Sequence, residues 1–390
     1  MTKEYFIQLL QKRILILDGG MGTMIQGYHL TEADYRGRFK EFRGQMRGNN
    51  DLLNITRPDV IEEIQHQYFE SGVDIITTNT FNANAISLAD YGIESMVREI
   101  NLAAGKLTRE AAENFMKQHP GREIFVAGSV GPTNKTASMS PDVNDPAFRA
   151  VNFDDLYDAY SEQIAALVDS GVDIILFETT FDTLNAKAGL AAAHDVMKDK
   201  GMNLPIMLSL TLSAQGGRTF SGQTLEAFIA SVMHSDIVSI GLNCSFGASG
   251  MLPYLRELSQ KAPWFISAYP NAGLPDTFGN YDETPDKMEA DVRPFIEEGL
   301  VNIIGGCCGT TPQHIARLPK LAEGRKPHVP VAAPDCFWAS GLELLQVKPE
   351  NNFVNIGERC NVAGSRKFLR LINAEKYEEA LTIARKQGED

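Results

Sequence analysis

Eight short runs of apolar, largely β-branched residues recur along the first 304 positions, and they limit the available folds more than any other feature of the chain. They lie at 14–17, 73–78, 124–129, 172–177, 205–211, 237–242, 264–268 and 300–304. Each is nearly continuous in apolar character, as expected of strands whose two faces are both covered by protein. Most are separated by segments of helical period. Residues 58–71 place Val60, Ile61, Ile64, Tyr68 and Phe69 on one face, 153–170 do the same with Leu156, Tyr160, Ile164, Leu167 and Val168, and 224–234 is similar. Strand followed by helix, repeated eight times, predicts an α/β chain folded as a (β/α)8 TIM barrel.

A weak internal echo agrees. Gly72-Val73-Asp74-Ile75-Ile76 returns as Gly171-Val172-Asp173-Ile174-Ile175 and, more loosely, as Gly299-Leu300-Val301-Asn302-Ile303-Ile304. Each reads as a helix end, a glycine able to adopt a left-handed cap, and the entry to a strand. Such turns are common to all barrels of this kind and carry no chemistry. A barrel needs about 250 residues, and this chain has 390. The expected division is a barrel over 1–325, a proline-punctuated linker over 326–352 and a short C-terminal extension over 353–390.

Charge and cysteine usage narrow the setting. With 36 basic and 50 acidic residues the net charge is −14, and no basic cluster interleaved with aromatics occurs, so nucleic acid is not an expected partner. No apolar run of membrane-spanning length is present, and the first residues lack the apolar core of a signal peptide. Five cysteines, two of them adjacent, do not form a disulfide framework. The expectation is a soluble cytoplasmic protein without a membrane partner.

Barrel active sites lie where strands end at their C-terminal face. There the sequence places Asp18-Gly19-Gly20-Met21, Asn79-Thr80, Gly131-Pro132-Thr133-Asn134, Glu178, Asn243-Cys244, Tyr269-Pro270-Asn271 and, after Gly305-Gly306, the pair Cys307-Cys308. Cys244 ends the sixth strand and the pair ends the eighth, and alternate strands direct side chains to a common interior layer. Adjacent strand residues would face opposite ways, but Gly305, Gly306 and Gly309 let the backbone leave strand geometry. Three thiols would then converge, and three soft ligands with an open fourth position suit a catalytic zinc ion. A vicinal disulfide, ordinary buried thiols and a closed structural zinc with His314 remain alternatives. Cys336 and Cys360 read as non-ligands. Three thiolates make zinc a poor source of hydroxide but a good holder of an incoming thiol, so the implied chemistry is sulfur nucleophilicity.

The combination Leu17-Asp18-Gly19-Gly20-Met21-Gly22-Thr23, Gly131-Pro132-Thr133-Asn134, Gly241-Leu242-Asn243-Cys244 and Gly305-Gly306-Cys307-Cys308-Gly309-Thr310-Thr311-Pro312 resembles the homocysteine S-methyltransferases over most of the first 325 residues. Within them, Met139-Ser140-Pro141-Asp142-Val143-Asn144-Asp145-Pro146 and Tyr269-Pro270-Asn271-Ala272-Gly273-Leu274-Pro275 resemble the cobalamin-dependent methionine synthase branch rather than the betaine-dependent one. The stretch 353–365 resembles the opening of the folate-binding barrel that follows in that branch. The extension is therefore expected to be the truncated beginning, one strand and one helix, of a pterin-binding barrel, with cobalamin and methyltetrahydrofolate bound by domains absent or incomplete here.

The resemblance implies that Cys244, Cys307 and Cys308 bind Zn2+ and that homocysteine sulfur completes the tetrahedron. Asn271 corresponds to the occupant of the fourth position before substrate arrives, with a plain turn residue as the alternative. Asp18 and Glu178 are implied to hold the substrate ammonium group, each having a helix-cap role as its alternative. Backbone N–H groups at Gly19, Gly20 and Met21 would take the carboxylate, with Asn79, Thr80, Thr133 and Asn134 shaping the site. Homocysteine would lose its thiol proton and attack the methyl group of methylcobalamin, carried by another domain and recharged from methyltetrahydrofolate, to give methionine. Competing readings are direct use of betaine or S-methylmethionine, a non-catalytic structural zinc domain, and a thiol redox module.

Overall fold

Each of the eight apolar runs overlaps a strand: β1 Leu15–Ile16, β2 Ile75–Thr77, β3 Phe125–Val130, β4 Ile174–Thr180, β5 Ile206–Leu210, β6 Ser239–Gly247, β7 Phe265–Asn271 and β8 Ile303–Ile304. A computed structural model describes residues 2–213, 216–275, 281–354 and 359–389. The strands from β2 to β8 pair in parallel in chain order, β8 pairs with β1, and a parallel bridge between Leu17 and Ile75 joins β1 to β2. The expected (β/α)8 barrel is the observed fold. The helices Pro58–Glu70, Phe153–Asp169 and Leu225–Val232 occupy the segments of helical period, and the five apolar residues on each of the first two predicted faces are all buried.

The Gly-Val-Asp echo has a physical cause beyond the turn. Gly72, Gly171 and Gly299 have φ of +94°, +86° and +64°, where a side chain would be strained. Two or three residues later, a polar side chain accepts the N–H of the strand before it. Asp74 accepts from Ile16 at 2.8 Å, Asp173 from Val126 at 2.9 Å and Asn302 from Ile266 at 2.9 Å. These bonds lie at strand entrances, away from the catalytic end.

The N-terminal helix Lys3–Lys12 contributes Phe6 and Leu10 to the barrel core, where both are fully buried among Leu15, Phe125, Ile174, Met207 and Ile303. Asn302 Nδ2 donates to Leu10 O at 3.0 Å. No helix among the described residues is long and apolar enough to cross a membrane.

Three strands run further than their apolar pattern. β4 continues through Glu178, β6 through Cys244 and β7 through Asn271. The register breaks between Phe177 and Thr180 and between Asn243 and Gly247, where Thr179, Cys244 and Ser245 take left-handed φ of 57°, 59° and 57°. The hydrophobic period stops where the strand leaves the core, but the ladder resumes after the kink. Non-glycine residues in this region cost roughly 1–3 kcal/mol each and are held only where surrounding structure over-determines them.

The chain divides into two compact units, Met1–Ala333 with Ala339–Leu344, and Pro334–Trp338 with Leu345–Asp390. The second unit holds the helices Arg366–Asn373 and Tyr377–Glu389, with Leu371 and Ala380 buried. Part of the strand expected to open this extension, 355–358, lies outside the described residues.

Candidate active site

The three cysteines expected to converge do so. The sulfur atoms of Cys244, Cys307 and Cys308 lie within 4.8 Å of one another, the one such group of three metal-ligating side chains among the described residues. Cys244 Sγ and Cys308 Sγ are 3.7 Å apart. Beyond β8 the backbone leaves strand geometry: Gly306 N–H donates to Asp18 O at 3.0 Å, Cys307 N–H to Pro270 O at 2.9 Å, and Thr310 N–H turns back to Cys307 O at 3.1 Å. Gly309 has φ +79°, and a Cβ there would lie 2.3 Å from the Tyr281 ring. The cysteines are all unpaired thiols. Contacts with Cys244 and Cys307 hold Cys308 well below the ordinary thiol range, while its neighbours and burial push Cys307 far above it. Cys244 is lowered by Cys307 but raised overall by Cys308 and by burial. Alone, the cluster carries one negative charge with ease; three thiolates together require a cation.

His314 does not supply a fourth ligand. Its Nδ1 accepts from Thr311 N–H at 3.2 Å and its Nε2 donates to Glu283 O at 2.8 Å, so both ring nitrogens are committed. Asn271 is different. It is 3% exposed and its Oδ1 has no hydrogen-bond partner, while the next residue, Ala272, donates its N–H to Cys308 O at 2.9 Å. A buried carbonyl oxygen without a partner has an unmet need for an electropositive one.

A cavity of about 440 Å3 opens on the cysteines and is lined by Asp18, Gly19, Gly20, Met21, Asn79, Thr80 and Glu178 among others. Burial pushes the Asp18 carboxyl up to about 7 despite two hydrogen bonds from Thr77. Burial raises Glu178 to about 7 as well, partly offset by the Ser129 hydroxyl that donates to it. A positively charged ligand would bring both back toward the ionised form.

Other expected donors are already engaged. Gly20 N–H goes to Thr310 Oγ1 at 3.1 Å, which leaves the start of the helix Met21–Gln26, whose first N–H groups lack intrahelical partners, as the better backbone site for a carboxylate. Asn79 donates to Asn50 O and Thr80 to Ser129 O, each at 2.7 Å, so both brace the cavity wall. Thr133 and Asn134 bond to Lys135 O and Asp90 and do not line the cavity. Cys336 accepts from Trp338 Nε1 at 3.1 Å and Cys360 faces Gln387 at 3.7 Å; neither belongs to the cluster.

A model of the homocysteine S-methyltransferase family matches residues 15–322. The chain belongs to that family. It is accordingly a methyltransferase whose family substrate is homocysteine. Among solved structures it is similar to the homocysteine methyltransferase MmuM from Escherichia coli. The metallated form gives 22% identity and a TM-score of 0.63, covering 80% of this chain and 98% of that one. The oxidised form gives 22% and 0.62, covering 79% and 95%. At this identity the likeness concerns the fold.

Several site residues of this homocysteine S-methyltransferase carry little sequence signal. Asn243 accepts from Thr179 N–H at 2.9 Å and Ser209 Oγ at 2.7 Å, and donates to Thr179 Oγ1 at 2.8 Å and Cys307 Sγ at 3.8 Å. Its place immediately before Cys244 was the only hint. Asp51, a third buried carboxyl on the cavity, also raised to about 7 by burial, sits in the short 3-10 helix Asn50–Leu52, and Tyr281 in a loop; the composition around neither distinguishes it.

Proposed function

We propose that this chain binds homocysteine and activates its sulfur for methyl transfer through a zinc ion held by Cys244, Cys307 and Cys308. The observation that carries the reading is the convergence of three sulfurs, a donor set that fits zinc with an open fourth position; the buried, unpartnered Oδ1 of Asn271, in the residue before the N–H that bonds Cys308 O, is the candidate for a weak, displaceable fourth ligand. The metallated form of the Escherichia coli relative supports a metal-dependent reading. Bound there, zinc would favour the thiolate form of the substrate at neutral pH.

The protein's own groups do the rest. Asp18 and Glu178 line the same cavity as the thiols and take the substrate ammonium group between them; its charge favours their ionised forms. The start of the helix Met21–Gln26 receives the carboxylate. Fixing both ends of a short amino acid leaves its sulfur one direction to point, which is how positioning accelerates transfer.

For the donor we propose methylcobalamin on a separate domain, recharged from methyltetrahydrofolate, so that the chain serves cytoplasmic methionine biosynthesis in the cobalamin-dependent methionine synthase branch. The stretches 139–146, 269–275 and 353–365 support this, with 326–352 as linker and 353–390 as the start of a folate-binding barrel. The experiment is metal analysis and homocysteine titration of the purified chain, followed by absorbance of added methylcobalamin. One zinc per chain, saturable homocysteine binding and zinc-dependent demethylation of the cobalamin are expected. Transfer only from betaine or S-methylmethionine would overturn the donor, and a chain that binds no zinc would overturn the site.

A further inference from the structure

One side chain ties together the two kinked strands of the candidate site. β4 bends at Thr179 and β6 at Cys244 and Ser245, each in the left-handed region, and Asn243 is the last residue of β6 in register before its bend. Its Oδ1 accepts the Thr179 N–H at 2.9 Å and the Ser209 hydroxyl at 2.7 Å, and its Nδ2 donates to Thr179 Oγ1 at 2.8 Å and to Cys307 Sγ at 3.8 Å. The amide cannot be turned the other way. A backbone N–H can only donate, so the oxygen must face Thr179 N, and the two amide hydrogens are left for the threonine hydroxyl and the sulfur. Asn243 is 1% exposed, and its two donors and two acceptor positions are all used.

Each partner adjoins a functional group. Thr179 follows Glu178, which is anchored by the Ser129 hydroxyl, Cys307 belongs to the sulfur cluster, and Asn243 itself precedes Cys244. Glu178, Thr179, Cys244 and Cys307 all line the cavity. A threonine with φ of 57° persists only where its surroundings over-determine it, and two hydrogen bonds from one buried amide do so. Without them β4 can relax toward regular strand geometry, in which successive side chains alternate between faces, and the Glu178 carboxylate turns with it.

We infer that Asn243 is a positioning residue that sets the Glu178 carboxylate and the Cys307 sulfur in fixed relation: one side of its amide holds the β4 bend at Thr179, and the other steadies Cys307 Sγ. It acts through these neighbours and touches no reacting atom. The residue type suits both tasks. A carboxylate at this position would keep the acceptor for Thr179 N–H but would offer the sulfur no proton and set a second negative group against it. An N–H directed at sulfur fixes its direction and reduces the charge it presents to a metal ion. The inference deepens the proposed function and rests on it, for the metal at Cys307 and for homocysteine at Glu178.

The test uses the full chain and three variants. Asn243→Asp keeps the shape and the acceptor, so the β4 bend is held and only the donation to sulfur is lost. Asn243→Ala loses both. Asn243→Ala with Thr179→Gly restores the bend alone, because glycine takes positive φ without strain. Each is loaded with Co2+ for absorbance and with Zn2+ for homocysteine calorimetry. Asn243→Asp is expected to move the sulfur-to-cobalt charge-transfer band to longer wavelength and to hold metal about tenfold more weakly, the lower end of what loss of an outer-shell partner costs. Asn243→Ala is expected to bind homocysteine about tenfold more weakly at saturating Zn2+, and the added glycine to recover most of that loss while leaving the cobalt band displaced. A merely structural asparagine would lower the melting temperature in every variant, leave the band of Asn243→Asp unmoved and gain nothing from the glycine. A parent-like band in Asn243→Asp, or a homocysteine loss in Asn243→Ala that the glycine does not recover, would overturn the inference; the Asn243→Asp result stands by itself where Asn243→Ala fails to fold. A parent chain that holds no metal or binds no homocysteine would instead overturn the proposed function, and the two failures are separate.

Discussion

Asp18 receives both the backbone N–H and the hydroxyl of Thr77 on one carboxylate oxygen, each at 2.8 Å. The carboxylate is thereby aimed across the barrel mouth by a residue of β2, and Glu178, anchored by Ser129, approaches the same cavity from β4. In the function proposed above, substrate recognition would draw on the ends of β1 and β4, and sulfur chemistry on the ends of β6 and β8.

Asp18→Asn and Glu178→Gln should each weaken homocysteine binding while leaving metal content intact. The amide oxygen at position 18 can still accept from Thr77, so the fold is kept and only the charge is lost. A hydrogen bond to a charged group is worth about 1.5–3 kcal/mol, which corresponds to roughly 10- to 100-fold in affinity. Calorimetric titration of the zinc-loaded variants decides the matter: unchanged affinity in both would remove the ammonium site.

Replacing Cys244, Cys307 or Cys308 by serine should lower metal affinity by more than about 100-fold, beyond the effect typical of outer-shell partners. The triple variant should hold none after dialysis against a chelator. Elemental analysis is the measurement, and a triple variant retaining one metal per chain is incompatible with the ligand assignment.

The barrel and the thiol cluster were legible in the sequence because both rest on local patterns. Apolar runs report strands buried on two faces, and a double cysteine among glycines reports a turn that regular strand geometry does not allow. The strand ends were less legible. Glu178, Cys244 and Asn271 lie within continued ladders, since Thr179, Cys244 and Ser245 absorb the register shift in left-handed conformations that no residue type advertised. The partner of the Gly20 N–H was hidden for a similar reason: it is Thr310 Oγ1, which lies 290 positions away. Tyr281, whose ring packs on Gly309, and Asp51, which accepts the Asn82 N–H, were missed because these partners lie far from them in sequence.

Asn271→Ala separates the two states of the metal site. The buried Oδ1 without a partner should contribute to metal retention only while the fourth position lacks a substrate sulfur. Zinc affinity measured against a competing chelator should therefore fall in the variant without homocysteine, by about tenfold, and return toward the parent value when homocysteine is saturating. An equal loss under both conditions would show that Asn271 acts through the barrel rather than as a displaceable ligand.

Asp51 gives a prediction in pH that is independent of the metal ligands. Burial raises its carboxyl from 3.8 to about 7 in the folded chain, against about 3.9 in an unfolded one. Between pH 4 and 7 the native state therefore binds more protons than the unfolded state, and this group's contribution to stability falls as pH rises through that window. Asp51→Asn removes the titration and keeps an oxygen for the Asn82 N–H, which the carboxylate accepts at 3.0 Å. The advantage of the variant over the parent should grow by ~2.5 kcal/mol between pH 5 and pH 8 and change little above that, read as a rise in melting temperature of roughly 2–5 °C. Paired thermal melts of the metal-free proteins at pH 5, 6, 7 and 8 test it. A difference that is constant across the series would mean that Asp51 is ionised throughout, stabilised by a cavity more polar than its burial implies.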